Sequence, residues 1–231
     1  DYLLHYERAA TGEVIEKKVN AREMFRKIAE TNWDYAEPGA LFWDRITSWN
    51  LLSNTKSFSY AGVNPCAEEP LPAGGSCLLG SLNLAEFVQD AFTENAVFDF
   101  EDFKKCVQAS VCALNEEQQE SVKKWRQIGL GIMGLADCLI KLGLTYGEED
   151  AVNMCDKIGF AMADAAIMAS AKLAKELGTF PACQTEEIEE TPYFLANTTE
   201  KTKEMVRKYG LRNSQLLTIA PTGTLSTMLG I

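Results

Sequence analysis

The stretch Val63-Asn64-Pro65-Cys66-Ala67-Glu68-Glu69-Pro70-Leu71 breaks into a chain that otherwise divides into periodic segments. It lies inside a run from Ser53 to Gly80 that is rich in Ser, Asn, Gly and Pro, lacks a regular hydrophobic period, and also carries Gly74-Gly75-Ser76-Cys77. A structureless run that long is uncommon in a compact domain and is usually either functional or disordered. The aromatics Phe58 and Tyr60 and the apolar Leu78 to Phe87 beyond favour function. If the chain is extended here, alternation puts Asn64, Cys66 and Glu68 on one side. An amide, a thiol and a carboxylate then face one ligand together, with Cys77 eleven positions later.

A thiol beside a carboxylate is a poor polar nucleophile, because the negative charge raises its pKa. No histidine is at hand to relieve it, since the single one, His5, stands near the start of the chain. Ser-His-Asp and Cys-His hydrolases and multi-histidine zinc centres are excluded on that ground, and no metal site is expected. Hydrogen-atom transfer makes no such demand on a thiol. Glu68 then serves as general base and Asn64 as a hydrogen-bond partner. The alternative reading is a buried cysteine with polar neighbours that cap a loop.

Composition sets the outer limits. The chain has 231 residues, 46% hydrophobic, with 33 acidic against 22 basic side chains and a net charge of −11. That is one large globular domain or two small ones, with enough apolar content for a real core. No apolar run reaches the ~18 residues of a membrane helix. Without clustered Lys and Arg, binding to nucleic acid polymers is disfavoured, and an anionic ligand would need a local device to attract it. Seven cysteines, an odd number with no CxxC pair, describe neither a disulfide framework nor a zinc ribbon. The chain opens on Asp1-Tyr2 without a signal peptide, which points to a reducing cytoplasm. It closes on the apolar Thr227-Met228-Leu229-Gly230-Ile231, which suggests a fragment.

Helices dominate the expected secondary structure. Asn20 with Glu23 opens one, ended by Pro38-Gly39, and Leu41-Phe42-Trp43 reads as extended. Glu101–Leu114 and Glu116–Leu142 show apolar residues three or four apart. Thr145 with Glu148 forms a capping box for a third helix that stops at Gly178. Cys106, Cys112, Cys138 and Cys155 fall within these patterns and read as small core residues. Gln184–Thr199 reads as a polar surface loop and Lys201–Tyr209 as a last helix. Leu216–Ala220 reads as a buried strand.

Two further motifs bear on ligands. Gly129-Leu130-Gly131-Ile132-Met133-Gly134 matches GxGxxG, but the preceding Lys123-Lys124-Trp125-Arg126-Gln127 is not the apolar strand a dinucleotide fingerprint requires. The expected structure is a helix whose glycines admit a close neighbour. Pro221-Thr222-Gly223-Thr224-Leu225-Ser226, after the Leu216–Ala220 strand, suits an anion better: free N–H groups at a helix start, three hydroxyls and a glycine. An ordinary capped helix is the alternative.

Four ordered motifs carry a resemblance. They are Val63 to Leu71, Gly75-Ser76-Cys77 through Gly80-Ser81-Leu82-Asn83-Leu84, Arg126 to Asp137, and Ala220-Pro221-Thr222-Gly223-Thr224. Together they resemble the catalytic subunit of ribonucleotide reductase, over almost the whole chain. The resemblance implies an α/β fold, a ten-stranded barrel entered by a central finger loop. This chain would be its central part, predominantly helical with a few short strands. The finger loop would span about 58–80, a helical region about 101–178 and a phosphate-site turn 220–226.

It further implies reduction of ribonucleoside di- or triphosphates through a thiyl radical on Cys66, which takes the 3′ hydrogen of the ribose. Glu68 becomes the base on the 3′ hydroxyl, Asn64 a partner of the substrate, and Cys77 one of two reducing thiols. Pro221, Thr222, Gly223, Thr224, Leu225 and Ser226 become the substrate phosphate site. Pro65 in Asn-Pro-Cys looks like the adenosylcobalamin-dependent class; the alternative is a radical supplied by a separate metal-containing small subunit. A dithiol reductant such as thioredoxin or glutaredoxin, nucleotide effectors and a homodimer belong to the full-length enzyme in that family.

Two departures stand out. Leu78 occupies a position where many relatives carry Asn, and no cysteine precedes Cys66 to pair with Cys77. The chain by itself is expected to be inactive. Rival readings are another thiyl- or glycyl-radical barrel enzyme and a non-catalytic nucleotide-binding domain, the last of which predicts that Asn64, Cys66 and Glu68 do not converge.

Overall fold

The computed structural model describes residues 1–116 and 124–231, which form two compact units, Asp1–Trp43 and Asp44–Ile231. In the first unit, β1 (Tyr2–Glu7) and β2 (Val14–Val19) form an antiparallel hairpin with Tyr2 opposite Val19 and Glu7 opposite Val14. Gly12, at φ 68°, supplies the left-handed residue of its turn. α1 (Ala21–Tyr35) follows and opens where the sequence predicts: the Asn20 side-chain oxygen accepts from the N–H groups of Arg22 and Glu23. Leu41-Phe42-Trp43 does not run on as a strand, because Trp43 already opens α2 (Trp43–Ser48).

The second unit holds the core. β3 (Gly62–Val63) and β4 (Pro70–Leu71) pair antiparallel. β5 (Leu78–Asn83) leads into a 3₁₀ turn, Leu84–Phe87, and then into the short pair β6 (Val88–Gln89) and β7 (Val97–Phe98). After α3 (Phe100–Glu116), β8 (Ile128–Met133) lies parallel to β5, with Leu78 opposite Ile128 and Asn83 opposite Met133. The chain finishes with α4 (Leu135–Lys141), α5 (Glu149–Leu177), α6 (Thr185–Glu189), α7 (Pro192–Ala196), α8 (Glu200–Tyr209) and α9 (Gly223–Leu229). This is the helix-rich α/β piece that the resemblance implies; the described strands do not close into a barrel.

Residues 215–218 run along the other edge of β8. The Ile128 and Leu130 N–H groups donate to the Gln215 and Leu216 carbonyls at 3.0 and 2.9 Å, and the Thr218 N–H donates to the Leu130 carbonyl at 3.1 Å. Leu130 and Leu217 form a parallel bridge. Three parallel segments therefore stand side by side, with β8 in the middle. Their layer is covered by α3, where Phe103, Val107 and Val111 recur every fourth residue and are fully buried, and α3 packs in turn on α5. Ala161, Ala165, Ala166 and Ala169 on α5 are buried too, and their small side chains suit close helix packing.

β8 corrects the sequence reading. The helix expected over Glu116–Leu142 is absent from Trp125 to Gly134, and its stretch 117–123 lies outside the described residues. The GxGxxG motif is a strand, with Ile128, Leu130 and Ile132 alternating with Gly129 and Gly131 at the period of a pleat. Close approach of a neighbour is the part that holds. A Cβ on Gly131 would stand 2.3 Å from the Thr218 carbonyl oxygen, and one on Gly129 would stand 2.7 Å from Cys77 Sγ.

Two smaller corrections follow the same logic. Thr145 does not cap α5; its carbonyl accepts from the Glu148 N–H in a preceding turn, and the helix begins at Glu149. Gln184–Thr199 is not a loop but α6 and α7, because Ile188 and Phe194 bury fully among polar neighbours and Thr191 caps α7 ahead of Pro192. The ends at Gly178 and Tyr209 fall where expected.

A buried polar knot fixes the approach to the third parallel segment. Ser170 Oγ on α5 accepts the Arg212 and Asn213 N–H groups at 3.1 and 3.0 Å and donates to Asn213 Oδ1 at 3.0 Å. Asn213 Nδ2 in turn donates to the Arg126 carbonyl at 2.9 Å. The start of β8 and the start of segment 215–218 are thus tied at one buried amide.

Candidate active site

The stretch Asn64–Glu69 folds as the tip of the β3–β4 hairpin. The Ala67 N–H donates to the Asn64 carbonyl at 2.9 Å, and Ala67 takes φ 67°. Pro65 suits the position after the first residue of such a turn because its φ is already set. The Asn64 side chain then works in two directions: Nδ2 donates to Glu68 Oε1 at 2.6 Å, and Oδ1 accepts the Glu69 N–H at 3.0 Å. The expected one-sided strand is corrected to a turn. Amide and carboxylate bond to each other across its base, and Cys66 stands at the apex, exposed and unoxidised. Asn64 and Glu68 meet at hydrogen-bond distance, with Cys66 between them in the chain at the exposed apex.

Below the tip lies a group that the sequence reading passed over. Glu69 is fully buried, and its Oε1 accepts from Gln215 Nε2 at 2.5 Å, while Gln127 Nε2 donates to Gln215 Oε1 at 3.0 Å. The Cys77 thiol and the Thr218 hydroxyl lie against the same carboxyl group. Burial pushes the Glu69 pKa up from its usual 4.5 to about 7; the thiol and hydroxyl oppose that rise and the Glu68 charge adds to it. Cys77, directly before β5, is pushed strongly upward, first by burial and then by the charge of Glu69. The signal was present in sequence as a second acid beside Glu68, but only the fold shows that it turns inward.

Thr218 connects the hairpin to the parallel layer. Its hydroxyl donates to the Glu68 carbonyl at 2.7 Å. Glu68 itself borders an open, mainly apolar cleft of about 680 Å³, walled by Trp49, Tyr60, Tyr193, Leu216 and Ile219 among others. Its Oε2 is buried without a hydrogen-bond partner. Such an oxygen is unsatisfied until a donor arrives, and the cleft is where one can enter. Tyr60 and Tyr193 both titrate above their ordinary range, Tyr60 through burial and then the charge of Glu69, Tyr193 through burial.

The predicted phosphate turn sits three residues past Thr218. Thr222 takes φ 50° and α9 begins at Gly223, so the sharp turn and the helix start are present. Thr222 makes no side-chain cap, and Ser226 Oγ donates to the Gly223 carbonyl at 3.1 Å. Pro221, Gly223, Thr224 and Leu225 are exposed. The preceding strand is shorter than expected: ladder bonds end at Thr218, and Ile219 is exposed. The structure therefore joins Asn64, Glu68, Cys66 and Cys77 through one hairpin and its base. The turn is connected to them only along the chain, through Thr218.

The chain is similar to known proteins along nearly its whole length. The family described as "Ribonucleotide reductase, barrel domain" matches residues 3–231. A vitamin B12-dependent ribonucleoside-diphosphate reductase of Thermoplasma acidophilum is 35% identical over 94% of this chain and 27% of its own length. A vitamin B12-dependent ribonucleotide reductase of Streptomyces coelicolor is 31% identical over 93% and 25%. The ribonucleoside-diphosphate reductase subunit alpha of Chlamydia pneumoniae is 31% identical over 98% and 24%. The chain thus spans about a quarter of the length of these relatives. Among solved structures, the class Id ribonucleotide reductase alpha subunit of Actinobacillus ureae superposes with a TM-score of 0.63 at 20% identity, over 90% of this chain and 38% of that one, a likeness of fold. Since the family match covers nearly every residue, the chain belongs to the ribonucleotide reductase barrel-domain family.

Proposed function

We propose that this chain is a central segment of a ribonucleotide reductase catalytic subunit and carries its thiyl-radical centre. The observation that carries the reading is the Asn64–Glu68 hydrogen bond beneath an exposed Cys66 thiol. A sulfur radical at the apex removes the 3′ hydrogen of a ribose seated in the cleft. Glu68, whose second oxygen lacks a donor, takes the proton of the 3′ hydroxyl. Asn64 holds that carboxylate in place and offers its amide to the substrate. Cys77 is one of the two thiols that reduce the intermediate while the 2′ oxygen leaves as water. The exposed turn Pro221–Ser226 receives the substrate phosphate. The names of the relatives favour a diphosphate.

Adenosylcobalamin supplies a carbon-centred radical when bound, and the names of the vitamin B12-dependent relatives support it as the cofactor. The residues present fit the receiving end of that chemistry, because Cys66 is exposed and carries no disulfide. What this chain contributes is presentation of the thiol, orientation of Glu68 and partial burial of the reducing cysteine. Among the described residues no helix is long and apolar enough to cross a membrane. A cytoplasmic enzyme served by a dithiol protein reductant is the setting this chemistry needs. The test is Cys66→Ser in the full-length subunit, with ribonucleotide reduction as the readout. Activity falls to background if the assignment is right, and retained turnover overturns it.

A further inference from the structure

Glu69 has no part in the chemistry above, yet it is the most enclosed carboxyl group of the site, fully buried between the hairpin base and the parallel layer. Elements far apart in sequence converge on it. Gln215 donates to one oxygen, Cys77 and Thr218 lie against the group, and Gly129 leaves the space in which the Cys77 sulfur sits. Both Cys77 Sγ and Thr218 Cγ2 would be 2.7 Å from a Cβ at Gly129. The thiol thus sits beside the carboxyl, packed under Gly129 and donating to the Leu78 carbonyl at 3.6 Å, while Glu69 Oε2 is buried without a hydrogen-bond partner.

We propose that Glu69 is a positioning residue for Cys77, the proton partner of that thiol. Its carboxyl group keeps the sulfur protonated at rest and returns a proton to it when a dithiol reductant breaks the disulfide left by the reaction. The proposal rests on the reading of Cys77 as a reducing thiol. Its chemical motive is leaving-group ability: a sulfur whose anion is disfavoured departs slowly from a disulfide unless a proton meets it. Cys77 is such a sulfur, half-buried and faced by an acid.

A thiolate of the reductant bonds to the second cysteine of the pair, the S–S bond to Cys77 breaks with its electrons on the Cys77 sulfur, and a proton passes from the Glu69 carboxyl to that sulfur. The reductant's other thiol then loses its proton, closes its own disulfide and releases the second cysteine as a thiolate that takes up that proton. The reductant is oxidised, the cysteine pair is reduced, and Glu69 is left as carboxylate until solvent reprotonates it. A group that titrates at about 7 is half protonated at neutral pH and can act in both directions. The titratable groups acting with it are Glu68 on the hairpin, Cys77 before β5 and Tyr60, whose own pKa it raises, while Thr218 supplies a neutral hydroxyl.

The test uses the full-length subunit and reads Cys77 alone. Iodoacetamide labelling of reduced wild type and Glu69→Gln is mapped by mass spectrometry across a pH series. Loss of the charge lets the thiol ionise earlier, so labelling of Cys77 near pH 8 rises about tenfold in E69Q, the effect of one pKa unit. Glu69→Asp, which keeps the charge, follows the wild type. Steady-state turnover with dithiothreitol slows in E69Q and recovers in E69D. If E69Q fails to fold, the S–H stretching band of Cys77 in wild type, assigned with Cys77→Ser, is followed instead. It shifts as pH crosses about 7, where Glu69 titrates. An unmoved labelling profile or band overturns the proposal and leaves the Cys66 reading intact. A moved profile in a subunit whose C77S variant still turns over overturns the reducing role of Cys77, and the proton-return step with it.

Discussion

Two cysteines eleven positions apart occupy opposite surroundings. Cys66 crowns a tight turn with its residue exposed, while Cys77 enters the sheet beneath Gly129 and against a buried acid. The difference suits the role proposed for each thiol. Hydrogen-atom transfer needs access and no control of charge, so an apex held only by its base suffices. Two-electron exchange moves a proton at every step, and a sulfur that does this is better kept where a carboxyl group can meter it. Packing supplies the first condition by omission and the second by enclosure.

The largest expected effect separates the two sulfurs directly. Cys66→Ser abolishes both turnover and exchange of a label at the ribose 3′ position; Cys77→Ser stops steady-state turnover with a dithiol but leaves the exchange. Equal loss of exchange in both variants breaks the division of labour. Next comes Gly131→Ala, which sets a methyl group 2.3 Å from a backbone oxygen of the neighbouring segment. Overpacking of this kind costs about 3 kcal/mol, read as a lowered unfolding temperature. Because its collision is with Thr218, it also disturbs the hairpin.

Glu69 gives a pH test of comparable size. Its folded pKa, about 7, lies above the usual 4.5, so the folded state holds the proton more tightly and favours the neutral acid. Between those values the folded state binds more protons than the unfolded one, and stability therefore falls as pH rises from 4.5 to about 7, then levels. The drop is about 3 kcal/mol. Denaturation midpoints across that window show the slope, and E69Q flattens it. The smallest effect belongs to Asn64→Ala, which removes the bonds to Glu68 and the Glu69 N–H at a cost of about 1.5 kcal/mol. Labelling of Cys66 barely changes in that variant, whereas labelling of Cys77 rises as the hairpin base loosens.

Much of this was written locally in the chain. The Asn20 cap, the stop at Gly178 and the α8 segment are set by short-range chemistry, and the residue types of the hairpin tip announced an amide, a thiol and an acid working together. What was misread depends on distant partners. β8 alternates Ile128, Leu130 and Ile132 with glycines, a strand signal, but its glycines make sense only once Cys77 and Thr218 are seen to fill the vacated space. Gln184–Thr199 reads as a polar surface loop, yet Ile188 and Phe194 within it are fully buried. Glu69 was invisible for the same reason. Adjacent acids are identical in sequence, and the bonds of Gln215 and Thr218, about 150 positions away, decide that one turns outward to the cleft and the other inward.

Thr218 gives that long reach a mechanical meaning. Its hydroxyl hangs the Glu68 carbonyl from the same extended segment that runs on, three residues later, into the turn at Pro221. The hairpin's own ladder is short, since β3 and β4 pair through only two residues each. Gln215 grips the Glu69 carboxyl from the same segment, so a displacement of the turn reaches the base of the thiol's perch through two bonds. The two halves of the proposed site, remote in the chain, behave as opposite ends of a single lever.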